Sequence, residues 1–82
     1  MPDSYSYAVM YDVHAELAAA ILAYPSMNSA HEGYAVILEE LEELWELVRE
    51  KQTIHRKQAM RKEAIQVAAM AMRFVMDVCD AE

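Results

Sequence analysis

Apolar and polar positions along this chain follow helical periods, and the punctuation that bounds strands is absent. One Gly and two Pro occur in 82 residues, while Ala, Leu, Met and Glu, all good helix formers, dominate. The pattern predicts three helices. The first runs from Ser4 to about Tyr24, with Asp3 or Ser4 as its cap. Pro25 ends it by disfavouring helical geometry at Tyr24. It is apolar almost all round, broken mainly by Asp12, His14 and Glu16, as expected of a helix that is buried or packed in an oligomer. A short loop over Pro25–Asn28 follows. Ser29-Ala30-His31-Glu32 then reads as a capping box, the Ser29 hydroxyl accepting from the Glu32 N–H and the Glu32 carboxylate reaching back to Ser29. The second helix runs to about Glu50, and the third from about Arg56 to about Cys79. No Gly or Pro separates them; Gln52, Thr53, Ile54 and His55 only dilute the pattern. One continuous helix is compatible with the local signals, but about fifty residues is unusual in a small domain, which favours a hairpin. The third helix sets Ala64, Ala68, Ala69 and Ala71 beside Met70, Met72 and Met76, small residues for close approach and flexible ones for filling gaps. It is the expected central helix.

Composition adds association to this picture. A single domain over residues 1–82 is all the length allows, and 56% of it is apolar. A chain this short leaves much of its surface exposed when it folds alone. Self-association reconciles the two, so the expected architecture is all-α: a helical hairpin plus an N-terminal helix, joining copies into a multi-helix bundle as a homodimer or homotetramer. A net charge of −7 disfavours nucleic acid as a partner. The longest uncharged apolar run, Leu17 to Tyr24, is too short to span a membrane. With no basic residue before Arg49 to start a signal peptide, and a lone cysteine, Cys79, the expected location is cytoplasmic.

The glutamates of the second helix carry the candidate chemistry. At about 100° per residue, Tyr34, Ile37, Leu38, Leu41, Leu44, Trp45 and Val48 form one broad apolar face, the expected core stripe. Glu39, Glu42 and Glu46 lie opposite, as a solvated acidic face. Glu40 and Glu43 instead share a row with Val36 and Leu47, at the edge of buried surface. Two anions there require protonation, a Lys or Arg partner, or a divalent cation. If the hairpin turns near Thr53, positions summing to about 106 face each other, so Glu43 meets Glu63 and Glu40 meets Gln66. Three carboxylates and an amide make an oxygen-rich set suited to Mg²⁺ or Mn²⁺; the alternative is an ordinary ion-paired helix interface.

The acidic run "EELEE" at Glu39–Glu43, followed by "KEAIQVAAMAMRFVMD" at Lys62–Asp77, resembles the all-α nucleoside triphosphate pyrophosphohydrolases of the MazG-like superfamily. The similarity covers roughly His31 to Asp77. It implies an E-x-x-E pair, here Glu40 and Glu43, and an E-x-x-D pair, here Glu63 and Gln66, holding Mg²⁺ (or Mn²⁺) around a nucleotide triphosphate. Glu40, Glu43 and Glu63 would then be both metal ligands and catalytic residues, with Gln66 as a fourth ligand. The implied reaction converts an NTP or dNTP to the monophosphate and pyrophosphate. The chain departs from the family at Gln66, where the aspartate is expected, since an amide oxygen ligates Mg²⁺ without adding negative charge. Asp77 lies about 16 Å further along a helix and cannot replace it. The fourth helix of many relatives is also missing.

Six of the seven basic residues fall between Arg49 and Lys62. Arg56, Lys57, Arg61 and Lys62 are candidate phosphate contacts, Lys62 foremost because it adjoins Glu63; the plainer reading is a solvated connection that offsets the acids. His14, His31 and His55 have no metal-ligand spacing. Tyr5, Tyr7, Tyr11, Tyr24, Tyr34 and Trp45 offer base stacking or, more simply, packing. Asp12 and Glu16 either complete a neighbouring subunit's site or mark an exposed stripe. Two functions compete on these grounds: a Mg²⁺-dependent nucleotide pyrophosphohydrolase, and a non-catalytic helical oligomerisation or interaction module on the same scaffold.

Overall fold

The computed structural model describes residues 4–82, and every regular element among them is helical. Helix α1 spans Ser4–Ala23, α2 spans Ala30–Val48 and α3 spans Ile54–Phe74, and a π-helical turn over Val75–Cys79 continues α3. Asp3, one of the two expected caps of α1, lies outside the described residues. No helix among those described is long and apolar enough to cross a membrane.

The break between α2 and α3 is made by side chains. The Gln52 amide donates to the carbonyls of Leu47, Val48 and Glu50 and so satisfies the open end of α2. Thr53, in extended backbone, then caps α3 by accepting from the Arg56 N–H at 3.1 Å. At the other end of α2, Ser29 accepts from Glu32 as expected. The Glu32 carboxylate, however, closes onto Asn28, taking both its backbone and its side-chain N–H at 3.3 Å, and not onto Ser29.

Helix α3 is central. Helices α1 and α2 each pack against it and make little direct contact with one another. Val13, Leu17 and Ala69 form the core, with Ile65, Ala68 and Met70 against it, and Ala69 is fully enclosed. Only one side of α3 is covered: Ala64, Ala71, Met72 and Met76 stay exposed.

The expected core stripe of α2 requires correction. The residues of α2 that are covered are Gly33, Val36, Ile37, Glu40, Leu44 and Leu47, whereas Tyr34, Leu38, Leu41, Trp45 and Val48 are exposed. Helix α3 therefore packs along one edge of the apolar face, not its middle. Gly33 accounts for the offset. A Cβ there would lie 2.6 Å from the Phe74 ring and 3.0 Å from the Met27 sulfur, so the missing side chain lets α3 settle over this line of α2.

Arg73 locks the far end of the molecule. It is only 4% exposed. Its guanidinium donates to the carbonyls of Ala20 and Tyr24 at 3.0 and 2.8 Å and to Asp77 at 3.0 Å. The same Asp77 oxygen accepts from the Met27 N–H at 3.0 Å. One ion pair thus ties the end of α1, the following loop and the end of α3 together.

Candidate metal centre

The antiparallel hairpin brings the predicted carboxylates together. Glu40 and Glu43, one turn apart on α2, meet Glu63 of α3, and an oxygen from each lies within 4.8 Å of the others. Glu40 and Glu63 are half-buried and Glu43 is exposed at the rim. One oxygen of Glu40 and one of Glu63 are shut off from solvent with no hydrogen-bond partner. Burial pushes the Glu40 carboxyl up to about 7, assisted by Glu43, by a hydrogen bond with Glu63, and by the charges of Glu63 and Glu39. Glu63 is raised as well, by burial first and then by Glu43, while its hydrogen bond with Glu40 and the charge of Lys62 pull the other way. Burial and mutual repulsion therefore both favour keeping a proton within the Glu40–Glu63 pair when no cation is present.

The residues fit a divalent cation. Hard cations take carboxylate oxygens at about 2.0–2.6 Å, so oxygens bound to one ion lie roughly 3–5 Å apart. Three acids already gathered at that separation, two with enclosed and unsatisfied oxygens, need little rearrangement.

Gln66 lies on the neighbouring wall. It lines a cleft of about 450 Å³ between α1 and the hairpin, together with Glu16, Glu39, Glu40, Met70 and Tyr24. Its side-chain N–H donates to Glu16 at 3.3 Å. Asp12 and Glu16 are thus not a fully exposed stripe. Both are half-buried toward α3, Asp12 pairing with Arg61 at 2.7 Å.

That pair also removes Arg61 from the free cations, and Arg56 is engaged by Glu50 at 3.2 Å. Lys62 is exposed in a groove between α1 and α3. The three histidines lie apart from the cluster, and all three are exposed. Tyr24 alone of the aromatic candidates borders the cleft.

Arg73 is the cleft-lining residue that sequence reasoning passed over. A single arginine in the most apolar part of the chain, with Asp77 four residues on, was the available signal. Comparison of the chain with family models, with curated proteins and with solved structures finds no match in any of the three.

Proposed function

We propose that this chain is a Mg²⁺-dependent nucleotide pyrophosphohydrolase, a divergent relative of the MazG-like enzymes it resembles. The observation that carries this reading is the convergence of Glu40, Glu43 and Glu63, with two enclosed oxygens that lack partners. These three side chains would hold Mg²⁺, or Mn²⁺. The ion, when bound, supplies positive charge to phosphate oxygens as charge develops on them. The chain's own contribution is to fix the three carboxylates on two rigid helices and to leave the adjoining cleft open for a nucleotide. A carboxylate oxygen not used on the ion takes the proton of the water that attacks the α-phosphorus, and the bond to the leaving pyrophosphate breaks. Lys62 is the cation best placed to meet a phosphate that reaches beyond the cleft.

The second reading is a helical interaction module without turnover. It is favoured by Gln66, whose amide is engaged by Glu16 where the related enzymes carry an aspartate. Pyrophosphate release from a panel of NTPs and dNTPs with Mg²⁺ or Mn²⁺ separates the two. Release that Glu40→Gln abolishes supports the enzyme. Absence of release with every nucleotide, from folded protein, rejects it in favour of the module.

A further inference from the structure

The edge of α2 that α3 leaves uncovered has an order of its own. Tyr34, Leu38, Leu41, Trp45 and Val48 follow one another at spacings of four, three, four and three residues, and all five are exposed. That is the seam spacing of helices packed knobs-into-holes. The seam lies about 100° around α2 from the line that faces α3. Glu39, Glu43 and Glu46 turn away from it. The charges directly beside it are Glu42 and Arg49, which are opposite in sign. A second identical helix can therefore meet the seam without stacking the acidic rows against each other.

The molecule's surface is larger than a monomer's should be. It exposes 6262 Å², whereas a compact monomer of 9.4 kDa exposes roughly 5,000 Å². The excess of roughly 1,200 Å² is more than the roughly 800 Å² that each partner gives to a standard interface. The radius of gyration, 13.9 Å, likewise exceeds the roughly 12 Å of a compact chain of this length.

We propose that α2 is a homodimer helix: the seam from Tyr34 to Val48 packs on the same seam of a second copy of this chain. The proposal does not rest on the hydrolytic reading, because Glu40 lies on the α3 contact line and Glu43 beyond it, both away from the seam. Leu41 is at the middle of the seam and meets its own counterpart whichever way the two helices run.

Sedimentation of the full chain tests it. Wild type is expected at twice the chain mass, Leu41→Glu at the chain mass with its helical circular dichroism retained, and Leu22→Glu, altered at the most exposed apolar residue of α1, still at twice. In a Cys79→Ser background, Leu41→Cys should oxidise to a disulfide-linked dimer and Leu22→Cys should not. The crosslinking result decides if Leu41→Glu fails to fold. A wild type that stays monomeric, a folded Leu41→Glu that still dimerises, or crosslinking through Leu22 and not Leu41 overturns the proposal.

Discussion

Arg73 and Glu40 are both ionisable groups withdrawn from water, and they are treated in opposite ways. Arg73 has a full set of partners: the carbonyls of Ala20 and Tyr24 at the end of α1, and Asp77. Arg73→Met keeps most of the volume but leaves the Asp77 carboxylate without its buried counter-charge, and breaking a buried pair from one side costs about 3–5 kcal/mol. Urea unfolding should show a loss of that order, whereas exposed Lys62→Met should change little. Glu40 lacks such partners and is held partly protonated. Its folded-state value is raised from 4.5 to about 7, so the native state binds more protons than the unfolded chain between those limits. Its contribution to stability is full below about pH 4.5 and is lost as pH rises through 7. In the absence of divalent ions, the melting temperature should fall across that window, and Glu40→Gln should flatten the fall. Saturating Mg²⁺ should raise the melting temperature most at the alkaline end, where the carboxylates are ionised and ready to bind it. A melting temperature that rises steadily from pH 4.5 to 8 in wild type would contradict this assignment.

Among the elements, the contact of α2 with α3 is decided by a side chain that is absent. Gly33 sits inside a helix, where Ala would ordinarily be better by about 1 kcal/mol. Here the added methyl would meet the Phe74 ring at 2.6 Å. Overpacking of this kind costs about 1–3 kcal/mol, so Gly33→Ala should destabilise the protein despite its helix propensity. In a Phe74→Leu background the same change should be much less costly, and a double-mutant cycle in urea would read the coupling. Additive effects would show that Phe74 is not what excludes the methyl. The break at Gln52 and Thr53 follows the same logic of local satisfaction. An amide closes one helix and a hydroxyl opens the next, so no glycine or proline is required.

For the whole molecule, the open arrangement of two helices on a central third separates the carboxylate cluster from the exposed apolar seam of α2. The carboxylates belong to one hairpin of one chain, so cation binding should survive dissociation of a dimer. Mg²⁺ should therefore raise the melting temperature of Leu41→Glu as it does that of wild type, and Glu43→Gln should abolish the rise in both. Loss of the metal response in a folded, monomeric Leu41→Glu would mean that the site needs a second subunit.

Much of this architecture is legible in the sequence, because it follows from interactions a few residues apart. The Ser29 cap, the helix-ending Pro25 and the helical periods define the elements to within a few residues. The antiparallel register needs only one further assumption, a turn near Thr53, and that assumption is enough to bring Glu43 to Glu63. What tertiary structure alone decided is how each helix is rotated. Periodicity locates an apolar face on α2, but a face wider than its neighbour does not say which edge will be covered. The choice rests on contacts distant in sequence: Phe74 over Gly33, and Arg73 reaching back to Ala20 and Tyr24. Those contacts turn Tyr34, Leu38, Leu41, Trp45 and Val48 of the expected core stripe outward and Asp12 and Glu16 inward, because a helix can satisfy its backbone alone but buries its side chains only against whatever the rest of the chain places beside it.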